Sequence, residues 1–151
     1  MQGSSASGRG PTIQGKAWRA ILEGHRDLMR YLETTFQPDF PLQYYDVILH
    51  VSEGEHGLRM TDLATAMVVS KSGLTSLVDR MEREGLVARQ PDPRDRRATR
   101  VVVTKQGRKR FAEASERHRG TVRRVFTSRV SPEEAEVIVN VMERVLRGLR
   151  D

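Results

Sequence analysis

The chain has no cysteine. Disulfides, thiolate chemistry and cysteine-based redox sensing are therefore outside its repertoire. It has no apolar run near the roughly 20 residues that a membrane-spanning helix needs, and no apolar leader segment follows Met1. A cytoplasmic location without a membrane partner is expected. No internal repeat is visible. Regularly spaced metal ligands are also missing: His50 and His56, with Glu53 and Glu55 between them, straddle a turn. No metal site and no cofactor are expected. The serines of GSSASG (3–8) sit in a polar stretch and form no nucleophile elbow. The acids read as partners of bases along helices, Asp79 with Arg83 and Arg80 with Glu84. No enzymatic activity is expected.

What is present is charge. Of 151 residues, 37% are hydrophobic and 30% charged, enough for one domain with a real core, helped by a partner chain. The formal net charge is +6, but its location matters more. Residues 89–110 hold nine basic side chains against two acidic ones, a surplus larger than that of the whole chain. Such a patch points to a polyanionic partner. A solvated charged loop and helix face would have the same composition.

Residues 1–15 are Gly-, Ser- and polar-rich and read as a disordered tail. From Lys16, Trp18, Ile21, Leu22, His25, Leu28, Met29, Leu32 and Phe36 recur at helical spacing. QPDFP (37–41) stops that helix. Pro41 suits the first turn of a second, with Leu42, Tyr45, Ile48, Leu49 and Ser52 along one side. SEGEHG (52–57) is a turn cluster, and LRM (58–60) suits a short strand. Thr61 reads as the cap of a third helix, with Asp62 favourable near its N-terminus. Ser70 caps a fourth, whose buried stripe is Leu74, Leu77, Val78 and Met81, with Gly85 as the terminating residue. LVARQ (86–90) and TRVVVT (99–104) form a hairpin with a long charged tip. Thr104 caps a fifth helix carrying Phe111, Ser115, His118, Val122, Val125 and Phe126 inward. In SPEE, Ser131, Pro132 and Glu134 make a capping box that opens a last helix with the stripe Ile138, Val141, Met142, Val145 and Leu149. The expected fold is mainly α with a small β-hairpin, the outline of a winged helix-turn-helix flanked by helices.

The fourth helix turns Ser72, Thr75, Ser76, Asp79 and Arg83 away from its buried side, with Lys71 and Arg80 on the flanks. Small hydrogen-bonding residues at a helix N-terminus allow close approach to a major groove. Ser70, Ser72 and the free N–H groups there also suit phosphate. The same residues would serve a merely solvated, capped helix; the basic hairpin downstream favours the first reading. At the hairpin tip, Arg94, Arg96 and Arg97 suit a narrow minor groove. Asp92 and Asp95 would repel phosphate, and make better sense as braces for arginines or the turn backbone.

TDLA, SKSGLTSLVDRMEREGLV and DPRDRRATRVVVTKQG, in this order and spacing, closely resemble the MarR family of bacterial winged-helix transcription regulators. The resemblance extends over about residues 16–150. It implies one domain, 16–151, with dimerisation helices at 16–40 and 108–151 and a DNA-binding lobe at 41–107, the wing being about 86–104. It further implies a homodimer on a palindromic double-stranded operator. Ser70, Lys71, Ser72, Thr75, Ser76 and Arg80 would lie in the recognition helix, and Arg94, Arg96 and Arg97 in the wing tip. The family also implies repression relieved by a small aromatic, phenolic or carboxylate effector bound beside the dimerisation helices. Trp18, His25, Tyr44, Tyr45 and Asp62 are the residues that this would recruit. A winged-helix module binding protein or RNA, or a regulator without an effector, is the competing expectation.

Overall fold

The computed structural model describes residues 12–67 and 69–149. The elements, in order, are α1 (Ile13–Thr35), α2 (Leu42–Glu53), β1 (Leu58–Arg59), α3 (Met60–Met67), α4 (Lys71–Arg83), β2 (Val87–Pro91), β3 (Thr99–Val103), α5 (Lys105–Val122) and α6 (Pro132–Arg147). A π-helical turn, Arg123–Thr127, continues α5. The three strands form an antiparallel sheet in the order β1-β3-β2. This is the winged helix-turn-helix arrangement, mainly helical with a small sheet. None of the described helices is long and apolar enough to cross a membrane.

The termini of the elements follow local chemistry. Thr12 accepts a hydrogen bond from the Gly15 N–H and opens α1 at Ile13, ahead of the expected Lys16. Residues 13–15 are thus helical rather than tail, and 1–11 lie outside the described residues. Pro41 caps α2 from outside instead of joining its first turn. Leu49 is exposed, and the buried side of α2 is Leu42, Tyr44, Tyr45, Val47, Ile48 and Val51. This face is broader than one stripe because the helix is packed on several sides. The third helix starts one residue early, so Thr61 lies inside it and its carbonyl accepts from Thr65. The strand β1 runs directly into α3 and leaves no room for a separate cap. Ser70, Thr104 and Ser131 cap α4, α5 and α6 as expected, the last with both halves of its capping box.

Most of the core lies in the central lobe. Phe40, Val47, Ile48, Val51, Leu63, Leu74, Val78, Met81, Leu86, Val87 and Val101 are essentially sealed from solvent. Each such side chain contributes roughly 1.5–3 kcal/mol by burial. By contrast, α1 and α6 bury no residue completely. Trp18 is 60% exposed, Val137 61% and Leu149 76%. Phe126, expected inward, is also exposed: the Ser128 N–H reaches back to the Arg123 carbonyl, a five-residue step that rotates the helix face there.

The lobe is tied to the outer helices at one junction. Arg110 of α5 donates to Asp39 at 2.8 Å and lies over the Phe40 ring. Nearby, Tyr45 stacks on Phe111 with centroids 4.7 Å apart, and Phe36 and His118 close the cluster. Gly107 lets α5 approach the sheet, since a Cβ there would fall 2.0 Å from the Leu86 carbonyl oxygen.

Candidate nucleic-acid interface

Ser70 accepts the Gly73 N–H at 3.1 Å and fixes the start of α4. At the other end Gly85 takes φ +72°, and the Leu86 and Gly85 N–H groups close onto Met81 and Glu82. That double closure is a Schellman motif, for which a left-handed glycine is best suited. Leu74, Leu77, Val78 and Met81 are buried, as the spacing predicted. Ser70, Lys71, Ser72, Thr75, Ser76 and Arg80 are all exposed along one side of the helix. The Thr75 hydroxyl donates to the Lys71 carbonyl at 2.8 Å, so its methyl group and lone pairs remain for a ligand. Ser70 and Ser72 hydroxyls stand 3.3 Å apart at the N-terminus.

The ion pairs differ from those the sequence suggested. Asp79 pairs with Arg89 of β2 at 2.7 Å, and Arg83 reaches only the Asp79 carbonyl. Glu82 receives both the backbone N–H and the guanidinium of Arg89, at 2.8 and 2.7 Å. The backbone N–H, then the guanidinium, hold the Glu82 carboxyl below its ordinary range. Glu84 accepts from the Tyr44 hydroxyl at 2.9 Å instead of pairing with Arg80. Helical spacing brings such charges within reach, but the strand and α2 offer better-placed partners. Arg89 thereby locks β2 to the exposed side of α4.

The wing is organised by one buried carboxylate. Asp92 is 1% exposed. One of its oxygens accepts from Arg59 at 2.8 Å and Arg100 at 2.5 Å. The other accepts the N–H groups of Arg94 at 2.8 Å and Asp95 at 3.1 Å. These bonds, led by Arg59, outweigh burial and hold the carboxyl far below the usual range. Arg59 and Arg100 sit directly opposite each other in the β1–β3 ladder. Like charges so placed repel, and Asp92 between them relieves that. Asp95 accepts the Arg97 N–H at 3.0 Å, while its carbonyl takes the Ala98 N–H at 2.9 Å. Both acids therefore face the turn and the hub. Arg94, Arg96 and Arg97 project from the tip, exposed. Among the described residues none of the three has an acidic partner.

Sequence reasoning missed Arg59, Glu82, Arg89 and Arg100 as parts of this surface. Arg89 and Arg100 were visible only as members of a charge count. Nothing in the sequence links Arg59 to Asp92, 33 positions away; the β1–β3 pairing does.

The residues considered for an effector are not gathered into one crevice in the single chain. Trp18 and His25 lie on the exposed side of α1, and Asp62 is exposed at the start of α3. Tyr44 is buried, and burial with the Glu84 contact pushes its hydroxyl up to about 12. Tyr45 belongs to the aromatic junction. Two side-chain atoms on α5, Ser115 Oγ and His118 Nδ1, are buried with no hydrogen-bond partner among the described residues. Asp46 of α2 is raised above the usual carboxylate range by burial, against the opposing pull of His50 and His118.

Residues 39–98 match the family model described as the MarR family. HosA, a transcriptional regulator of Escherichia coli O157:H7, is 31% identical over 138 residues, covering 89% of this chain and 98% of its own. The chain belongs to the MarR family. Among solved structures, AbsC, a MarR family transcriptional regulator from Streptomyces coelicolor, is 34% identical with a TM-score of 0.83, covering 94% of this chain and 98% of its own. Sco3205, a MarR family regulator from the same organism solved in complex with DNA, is 28% identical with a TM-score of 0.81 over 97% and 94% of the two chains. BadR, a transcriptional activatory protein of Rhodopseudomonas palustris, is 51% identical over 53 residues, covering 35% of this chain and 30% of its own. In MarR-family terms, α3 and α4 are the helix-turn-helix and β2–β3 the wing.

Proposed function

We propose that this chain is a homodimeric transcription regulator that binds a palindromic DNA operator and represses until a small effector releases it. The observation that carries the reading is the shared surface of α4 and the wing. Small polar side chains line the exposed N-terminal half of α4, while three arginines with no acidic partner among the described residues stand on a tip held by Asp92. In this reading Ser70, Lys71, Ser72, Thr75, Ser76 and Arg80 meet a major groove and its phosphates. The wing arginines meet the flanking minor groove. The DNA complex of Sco3205 supports the polyanion as partner.

The second copy is argued from apolar surface. The exposed apolar side chains of α1 (Trp18, Ile21 and Leu22) and α6 (Ile138 and Val145), with Leu149 just beyond it, form faces that a second copy would cover. Two-fold pairing through them would place half-sites about 34–36 Å apart.

For the effector, an aromatic compound with a carboxylate or phenolic group fits the α1–α2–α5 junction. There His118 lies beside the rings of Phe36 and Tyr45, and its Nδ1 and the Ser115 Oγ lack partners among the described residues. Buried unpaired polar atoms are costly, and a polar ligand group would satisfy them. Release of DNA requires that the ligand bind the DNA-incompetent arrangement more tightly.

The test is a gel-shift on the DNA upstream of the chain's own gene, across a salt series and with a panel of aromatic and carboxylate compounds. Binding should fall linearly in log–log terms by about 0.9 per phosphate neutralised. A flat salt response would remove the DNA reading in favour of a protein-binding module.

A further inference from the structure

In Arg96-Arg97-Ala98-Thr99 a hydroxyl follows two consecutive arginines by three and two positions. Protein kinases that select basic substrates hold guanidinium groups at such offsets with carboxylates of their own. Thr99 is exposed, and its hydroxyl makes no hydrogen bond among the described residues. It opens β3 opposite Pro91, which has no N–H to donate, so this end of the strand is less firmly paired than its middle. Two backbone bonds close the turn before it, from the Asp92 N–H to Ala98 and from the Ala98 N–H to Asp95. Opening them presents residues 96–99 in the extended form that a kinase takes.

The surroundings of Thr99 suit a phosphorylated side chain. Thr99 lies on the same face of the sheet as Arg89, two rungs away. Both line a cleft of about 370 Å³ between α3, α4 and the wing, together with Arg59, Arg97 and Thr75. None of the described residues lining it is acidic. Arg89 is shared by Asp79 and Glu82, and Arg59 commits its Nε to Asp92. Arg97 has no acidic partner among the described residues. We propose that Thr99 is a phosphorylation site for an arginine-directed protein kinase, and that its phosphoryl group turns into this cleft against Arg97, with Arg59 and Arg89 beside it. In the transfer, the Thr99 Oγ1 bonds to the γ-phosphorus of ATP. The bond from that phosphorus to the bridging oxygen breaks, ADP leaves with the electron pair, and the hydroxyl proton passes to the kinase. The site itself stands on the chain's own residues; its regulatory consequence rests on the DNA reading above. A phosphothreonine carries about −1.5 to −2 charges at neutral pH, so it cancels about two of the positive charges that the wing offers to a polyanion.

The test treats the full chain and Thr99→Val with MgATP and an arginine-directed kinase, and maps the products by mass spectrometry. The phosphoryl group should appear on Thr99 and be missing at that position in Thr99→Val. Phosphorus NMR then follows the second ionisation of the phosphate with pH. In the folded chain it should lie below its free value of about 6, because neighbouring guanidinium groups favour the dianion. It should return to that value in urea and be lowered less in Arg97→Gln. In duplex titrations across a salt series, the phosphorylated chain should bind at least about ten-fold more weakly. Its log–log slope should fall by about 1.8, two cations at about 0.9 each. Thr99→Val should bind alike before and after treatment.

A chain left unmodified at Thr99 overturns the site. A phosphate that ionises alike in the folded chain and in urea overturns its capture by the cleft. Equal duplex affinity with and without the phosphoryl group overturns the regulatory role. Absence of duplex binding by the unmodified chain overturns the DNA reading and that role together, while the mapping and the NMR titration still decide the site.

Discussion

At the scale of single residues, Asp92 shows how one buried carboxylate can set the shape of an exposed basic tip. Its carboxylate joins two strands and two turn N–H groups, and both arginines it holds come from the sheet. Asp92→Asn removes the charge and leaves Arg59 facing Arg100 across the ladder. The expected outcome is a loosened wing and weaker duplex binding, measured by titration, with the lobe still folded by circular dichroism. The pH dependence has a definite sign. The folded carboxyl titrates below its ordinary value of 3.8. Its stabilising effect is therefore complete above the ordinary range and is lost as pH falls through 3.8 toward the depressed value. Urea melts between neutral and acidic pH should show this loss in wild type and not in Asp92→Asn. Ser70 is the second informative residue. Ser70→Ala removes the cap of α4 and should cost about 1 kcal/mol in a denaturation midpoint experiment. If its hydroxyl also meets phosphate, affinity falls beyond what the lost stability explains.

At the scale of elements, the proposed recognition surface is a composite of α4 and the hairpin, joined by Arg89. Arg89→Met keeps the aliphatic stem but frees Asp79 and Glu82, both partly exposed. Pairs this exposed contribute little to stability, up to about 1 kcal/mol. The expected result is a nearly unchanged melting temperature with clearly weaker binding, because α4 and the wing no longer share a fixed angle. Within α4, Thr75→Ala or Ser76→Ala should relax specificity at one base pair, by about 1–3 kcal/mol for a good contact. Selection of bound sequences from a randomised duplex pool measures this. A uniform loss across all positions would place those side chains on phosphate instead.

At the scale of the whole molecule, the core and the exposed apolar surface are unequally distributed. The lobe from Phe40 to Ala114 buries the fully sealed side chains, whereas α6 buries none. A helix such as α6 draws most of its stability from packing of its amphipathic face rather than from propensity. This is the physical case for a second copy covering α1 and α6. Ile138→Glu on α6 should convert the proposed dimer to a monomer in sedimentation equilibrium. It should also reduce affinity for a palindrome far more than affinity for a half-site, because the two half-sites then no longer bind as one unit.

Local chemistry made much of this protein readable from its sequence. Caps at Ser70, Thr104 and Ser131, the stripe of α4, the glycine at 85 and the two wing strands are each decided within a few residues. So is the concentration of arginine at the tip, since charge is a property of composition. What required the folded chain was every contact between distant segments. Helical spacing suggested Asp79 with Arg83 and Glu84 with Arg80, but a strand and a buried tyrosine supplied nearer partners. The burial of Asp92 depends on β1 pairing with β3, which brings Arg59 across from Arg100. The cleft between α4 and the wing likewise exists only because the sheet places the hairpin beside the helix. Sequence alone determined which surfaces would be polar, capped or basic. Only the tertiary structure decided which of those charges are already neutralised by the protein and which are left for a ligand.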